Sequence, residues 1–341
     1  MMKSLEAKLI KNGLIDQFNT SLKEFINSGV ITPISMFPKM VDLQKSFIPL
    51  CYSLANSPQS TTKLRICTNS SFKSNGKSVS VNDCMISGPE YLNSLDSILT
   101  RWRTATRTAH SDISKCYHRI STSDADNSLR RLWVKPVLGT DSEWEEFCFS
   151  KCSFGDILGG CVASAAIEDA SKRFMNKEAQ DALLHNIYMD DITLLKYNDS
   201  GGGCSSLIEA VDKGLKKAKL PLKGWVETFD KCPPVKFLSY MYHPEVDCFS
   251  VRPKVNWSKK RRGARTSPDV KTVDGLKKHI KDHPVTRRSI AGVCMSSLHD
   301  PLGLMAQYNL KLKTLYRKVV DWDQPTPKEI EDEYLHSYVH S

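Results

Sequence analysis

The chain has 341 residues, a formal net charge of +10 and 40% hydrophobic residues, enough apolar material for a core shared by two or three packed subdomains. No run approaches the roughly 18 apolar residues of a membrane span, and Lys3, Glu6, Lys8 and Lys11 interrupt the N-terminal apolar residues, so neither a spanning helix nor a secretory leader is expected. The basic balance favours an intracellular protein with a polyanionic partner, nucleic acid ahead of membrane.

In chain order, Leu5, Leu9, Leu14, Phe18, Leu22 and Ile26 recur at helical spacing through residues 1–30, which predicts two helices broken at Gly13 and ended by Gly29. Residues 31–60 carry Pro33, Pro38, Pro49 and Pro58 and read as loop-rich. Thr61 to Thr68 alternates as a strand that puts Lys63 and Arg65 on one face, where they serve either as phosphate ligands or as the solvated side of an edge strand. A helix is expected from about Leu92 to Arg103. Next comes a strand ending at Asp112, with Tyr117 five residues on, followed by strands at Leu129–Val134 and Glu146–Ser150. The turn Phe154-Gly155-Asp156-Ile157-Leu158-Gly159-Gly160 leads into a helix that runs from near Cys161 past Arg173. It is neither a dinucleotide fingerprint nor a P-loop, so its glycines are read as close packing.

Residues 185–195, His-Asn-Ile-Tyr-Met-Asp-Asp-Ile-Thr-Leu-Leu, read as two short strands with Asp190 and Asp191 at the tip between them. Adjacent carboxylates repel unless a cation lies between them, so a divalent metal site and a solvated turn are the two readings, with Asp112 the candidate third ligand. Asp199-Ser200-Gly201 has the form of an aspartic-protease triplet but lacks its flanking apolar strand. Residues 205–219 form a lysine-faced amphipathic helix, and Lys236–Tyr242 and Cys248–Val251 are two strands about Pro244. From Arg252 to Arg288 the chain turns strongly basic around Trp257, with Lys259, Lys260, Arg261 and Arg262 in succession, either a nucleic-acid backbone binder or a solvated linker or import signal. Helices return over 285–320, with Pro301 and Leu302 opening a long one. The acids of 321–341 read as the outer face of a final helix, in a tail too short for a nuclease domain. The eleven cysteines stand singly with no Cys-x-x-Cys, so reduced, mostly buried thiols are expected instead of a disulfide framework or zinc site.

Thr61-Thr62-Lys63-Leu64-Arg65, Asn82-Asp83-Cys84 to Gly88-Pro89, Asp112 with Tyr117, Phe154-Gly155, Tyr188-Met189-Asp190-Asp191, Lys236-Phe237-Leu238 and Asp300-Pro301-Leu302-Gly303-Leu304, in this order, resemble the reverse transcriptase region of BEL/Pao-type retrotransposons. Three departures stand out: Gly159-Gly160 replaces a usual Ser-Pro, Gly224 and not a lysine precedes Trp225, and Ser239 replaces a usual glycine. The resemblance implies an α+β right-handed polymerase: an N-terminal helical segment (1–29), fingers (30–105), a palm (106–245), and a basic linker with a helical thumb or connection (246–341). It also implies that Asp112, Asp190 and Asp191 hold two Mg²⁺ (or Mn²⁺) ions, that Lys63, Arg65, Tyr117 and Gly155 meet the incoming dNTP, and that an RNA template and DNA primer are the partners. Tyr117 would exclude a 2′-hydroxyl, which argues against an RNA-dependent RNA polymerase. A decayed or repurposed nucleic-acid binder remains the alternative, and a cytoplasmic particle or the nucleus the expected location.

Overall fold

A computed structural model describes residues 2–37, 46–54, 63–75, 77–89, 91–197, 204–228, 233–238, 240–251, 273–296, 300 and 302–339. Within it the chain forms two compact units, one of residues 1–93 and 105–227, the other of 94–104 and 228–341. Helices and strands are mixed in both, an α+β architecture.

The first unit opens with the two expected helices, α1 (Met2–Lys11) and α2 (Ile15–Asn27), separated at Gly13 and closed at Gly29, both left-handed. Each is amphipathic because Leu5 and Leu9, then Phe18 and Leu22, fall on one stripe. That stripe covers an apolar cluster with Ile31, Leu64, Ile66, Leu132, Phe147 and Phe149. The stretch 31–60, read as loop, supplies two strands: β1 (Ile31–Pro33) and β2 (Leu50–Leu54). Tertiary pairing outweighs the prolines there, since Pro33 ends β1 at a sheet edge, where a missing N–H costs nothing. β2 pairs antiparallel with β3 (Leu64–Thr68), whose Leu64, Ile66 and Thr68 are buried while Arg65 faces out. The helix expected from Leu92 is α3 (Leu95–Thr104), part of the second unit.

β4 (Arg107–Asp112) then begins the element set that frames the acids. After the short α4 (Asp124–Ser128), β5 (Arg131–Val134) and β6 (Glu145–Phe149) join β1 in a sheet ordered β1-β6-β5. α5 (Gly159–Phe174) follows the glycine turn, and α6 (Lys177–His185), absent from the sequence reading, starts at an Asn176 cap whose side chain accepts from Ala179 N–H. β7 (Ile187–Tyr188) and β8 (Asp191–Lys196) make the acid hairpin, α7 (Ser205–Lys217) is the lysine-faced helix, and β9 (Val226–Thr228) completes the sheet β7-β8-β4-β9. Ala109, Ile113, Ile192 and Leu194 of this sheet pack on Ala163, Ile167, Ala179, Leu183, Val211 and Leu215 of α5, α6 and α7. The helices thus hold β4 and β8 rigidly side by side.

In the second unit, β10 (Val235–Phe237), β11 (Tyr240–His243) and β12 (Cys248–Val251) form an antiparallel sheet. The single strand read over 236–242 is two, because Leu238 turns the chain with a left-handed φ of 42°. Trp102 of α3 stacks on Phe237 at 4.0 Å. α8 (Val273–Asp282), α9 (Arg287–Ser296), α10 (Ala306–Lys318) and α11 (Lys328–Val339) follow, and Leu276, Ile280, Ile290, Leu312, Leu315 and Tyr334 form their common core. α10 starts four residues after Leu302 because Asp300 caps it from outside: its carboxylate accepts the N–H groups of Leu304 and Met305 and the Tyr240 hydroxyl. Burial first, with Asp300 adding to it, pushes the Tyr240 hydroxyl up to about 12. Glu329, Glu331, Asp332 and Glu333 all lie on α11, where Lys328 pairs with Glu331 and Asp332 and Lys318 with Glu333.

Candidate active site

β4 and β8 run antiparallel in a register that sets Asp112 directly opposite Asp191. The hairpin before β8 closes through the two residues Met189 and Asp190, so Asp190 is on the tip while Asp191 is the first residue of the strand, a correction to the reading that put both at the tip. Met189 takes a left-handed φ of 55°, the mirror-image turn geometry that two-residue hairpins need and that a side chain adopts only under strain. Asp190 is tied back to β4 by its carbonyl, which accepts Ile113 N–H at 3.0 Å. Two carboxylates on paired strands and a third on the hairpin tip therefore share one end of one sheet.

Their electrostatics carry the mark of that crowding. Burial, and then the charge of Asp112, push the Asp190 carboxyl above its ordinary range, with Lys223 pulling the other way. The Lys223 ammonium lies 2.7 Å from Asp112 Oδ1. This contact is an ion pair outside hydrogen-bonding angles, so Oδ1 stays a buried acceptor with no donor aligned on it. The segment carrying Lys223 is laced to β4: Lys223 N–H donates to Asp112 C=O, Ser114 N–H to Pro221 C=O, and Ser111 Oγ to Gly224 C=O. Gly224 has a φ of 120°, where a side chain is strained, and Lys223 reaches the acids from the position before it. A carboxylate oxygen held by a largely exposed lysine, beside a carboxyl raised by burial and by that carboxylate's charge, suits a cation. Among the described residues, however, no three His, Cys, Asp or Glu side chains converge as a ready-made metal cluster.

Tyr117 lies in a short 3₁₀ turn, Cys116–Arg119, entered through a left-handed Lys115. Its ring is buried against Phe154 at 4.3 Å, and burial, then Asp190, push its hydroxyl upward, which places it near the acid end of the sheet. Gly155 backs onto β3 so closely that a Cβ would meet Thr68 Oγ1 at 2.6 Å and Thr68 C=O at 2.7 Å. Only glycine lets the turn approach. That turn is then fixed on three sides: Asn82 Nδ2 donates to Gly155 C=O while Ile157 N–H donates to Asn82 Oδ1, Ser70 donates to Asp156, and Arg130 pairs with Asp156 at 2.9 Å. Thr68 and Ser153 hydroxyls add a further contact. Sequence reading gave Arg130, Asp156 and Lys223 no role at the site, because an ion pair across 26 or 111 positions leaves no local pattern.

Lys63 and Arg65 are exposed at the start of the β2–β3 ribbon whose far end, Thr68 and Ser70, anchors this turn. The predicted backbone binders Lys259, Lys260, Arg261 and Arg262, together with Trp257, lie outside the described residues, as do Thr61, Thr62, Asp199-Ser200-Gly201, Ser239 and Pro301. Of the described basic residues, Lys277, Lys278 and Lys281 form the exposed face of α8, opposite buried Leu276 and Ile280. No described helix is long and apolar enough to cross a membrane.

Comparison with curated proteins finds no match. A comparison with protein-family models matches residues 59–241 to the reverse transcriptase (RNA-dependent DNA polymerase) family. That segment is more than half of the chain and includes β4, the acid hairpin, Tyr117 and the Gly155 turn; the chain belongs to the reverse transcriptase family.

Proposed function

We propose that the protein is an RNA-directed DNA polymerase of a BEL/Pao-type retrotransposon, catalysing template-directed nucleotidyl transfer at Asp112, Asp190 and Asp191. The observation that carries this reading is the β4–β8 register, which sets Asp112 against Asp191 with Asp190 beside them. Asp112, Asp190 and Asp191 would hold divalent cations, Mg²⁺ or Mn²⁺, which when bound would supply the acidity for a primer 3′-hydroxyl and the positive charge for the triphosphate. The chain's own part is positional. Asp112 offers a buried oxygen without an aligned donor, and Asp190 is a carboxyl whose burial and neighbour both favour an added positive charge. Lys63 and Arg65 neutralise the triphosphate from the fingers ribbon. Tyr117, clamped between Phe154 and the first turn of α5, has no room to retreat from a ribose 2′-hydroxyl. Gly155 keeps the turn beside it low enough for a base pair to lie over it.

In this reading residues 30–105 are the fingers, 106–245 the palm, and 246–341 a basic linker with a thumb or connection, the run Lys259 to Arg262 tracking the nucleic-acid backbone. One observation favours the alternative, a descendant that binds template without extending it: Lys223 already sits on Asp112 where a metal is needed. Primer extension separates the two. On an RNA template with a DNA primer, the polymerase reading predicts extension with dNTPs, none without divalent metal, and little with rNTPs. Template binding with no extension under any metal would establish the alternative.

A further inference from the structure

The β2–β3 ribbon sets Cys51 directly opposite Cys67. Both face outward, on the face that carries Arg65 and Ser53: Cys51 is exposed, Cys67 half-buried. Asn69 N–H donates to Pro49 C=O, and pairs alternate along an antiparallel ladder, so Cys51 and Cys67 occupy a hydrogen-bonded pair with Cα atoms about 5.5 Å apart. That is within the commonest spacing of disulfides, about 5.5–6 Å. The two thiols are not equivalent. Cys67 Sγ has the Ser53 hydroxyl at 3.6 Å, and its pKa is drawn down to about 6 by the hydrogen bond from Cys51, and further by Ser53 and Arg65, against burial. Cys51 is pushed up by the same hydrogen bond and by burial, and so keeps its proton. Two thiols facing each other across a ladder pair, one of them drawn toward its thiolate, have the arrangement of a resolving pair. Cys84 and Cys248, though exposed, have no thiol partner among the described residues.

We propose that Cys51 and Cys67 form an oxidisable dithiol site for small hydroperoxides, closing to a cross-strand disulfide on the ribbon that carries Lys63 and Arg65. The Cys67 thiolate attacks the peroxide oxygen, the O–O bond breaks, and a sulfenic acid forms with hydroxide, or an alkoxide from an organic hydroperoxide, which takes a proton from solvent. Cys51 sulfur then attacks the sulfenic sulfur, the S–O bond breaks, and with the Cys51 proton the hydroxyl leaves as water. The two thiols lose two electrons and the hydroperoxide is reduced to water, or to water and an alcohol. The consequence rests on the nucleotide-binding reading of Lys63 and Arg65. Oxidation removes a thiolate charge beside Arg65, so the ribbon attracts a triphosphate more strongly, by about threefold.

The full chain, treated with hydrogen peroxide, alkylated and digested, should yield a peptide pair linking Cys51 to Cys67 that dithiothreitol releases, while Cys84 and Cys248 remain alkylated singly. In Cys51→Ser protein, Cys67 should instead be trapped by dimedone as the sulfenic acid. Equal, separate alkylation of all four cysteines after peroxide would overturn the site. Binding of dTTP to a dideoxy-terminated primer–template complex, before and after oxidation, tests the consequence. A linked pair with unchanged affinity would refute the coupling to Arg65, and absence of dTTP binding in reduced and oxidised protein alike would strike at the polymerase reading while leaving the disulfide in place.

Discussion

Two of the carboxylate–cation pairs in the first unit differ sharply in burial. Asp156 and Arg130 have side chains 0% and 2% exposed; Asp112 and Lys223 are 34% and 59% exposed. The chemistry is the same and the surroundings are opposite. Asp156 is also bonded to Ser70, and Arg130 donates to the carbonyls of Asp126 and Lys151, so every partner is protein and the pair cannot open without stranding a charge. Lys223, 59% exposed, can swing into water, and in the proposed reaction that frees Asp112 for another cation. Burial makes one pair a scaffold and partial exposure makes the other exchangeable.

The largest way to break the comparison is Arg130→Ala, which leaves the Asp156 carboxylate buried and unpaired. Unfolding free energy measured in urea should fall by about 3–5 kcal/mol; a loss below about 1 kcal/mol would mean that the buried pair is no anchor.

The packed side also responds to pH through His118, whose ring contacts Phe25, Phe149 and Phe154. Burial, and then Lys115, lower its pKa to about 4. Unfolded histidine binds its proton near 6.5, so between those values the unfolded state holds more protons. Stability is therefore full above about pH 6.5 and falls by up to about 3 kcal/mol as the pH drops to about 4. His118→Phe should flatten that slope; an unaltered slope would place the titrating group elsewhere, with His110, also lowered by burial, the next to test.

Tyr117 stands between the two sides, packed on the anchored turn and close to the acids. Tyr117→Ala should lower the preference for dNTP over rNTP by about 10- to 100-fold, roughly 1–3 kcal/mol, in a competition assay. A constant ratio would return the ring to ordinary packing. The smallest effect belongs to the exchangeable pair. Lys223→Ala should change stability by less than about 1 kcal/mol yet tighten Mn²⁺ binding, read by paramagnetic titration, by about two- to fivefold, since it removes the competing charge. Weaker Mn²⁺ binding would show that Lys223 supports the metal site and does not compete for it.

Much of this was legible in the sequence where the signal is local. The breaks at Gly13 and Gly29, the strand ending at Asp112, the hairpin at Asp190 and the lysine-faced α7 each follow from periodicity and turn residues within a dozen positions. β1, β2, β9 and α6 were not legible: three are short strands that exist because a partner strand lies beside them, and the last is a weak helix stabilised by burying Ala179 and Leu183. At the candidate site the acids announced themselves as an unusual pair. The residues that steady the site did not, since Asp156 in one turn and Arg130 in another become informative only when folding brings them within 2.9 Å.

The central claim is that the acid end of the β4–β8 sheet is a reaction centre and the Asp156–Arg130 pair is not. Single-turnover extension of a DNA primer on an RNA template by Asp190→Asn protein, beside wild type and with unfolding measured on both, tests it most directly. The account predicts a fall of at least about 10³-fold in rate, about 4 kcal/mol of barrier, with stability and template affinity unchanged or slightly raised by the relief of repulsion. Extension by Asp190→Asn at the wild-type rate would contradict it.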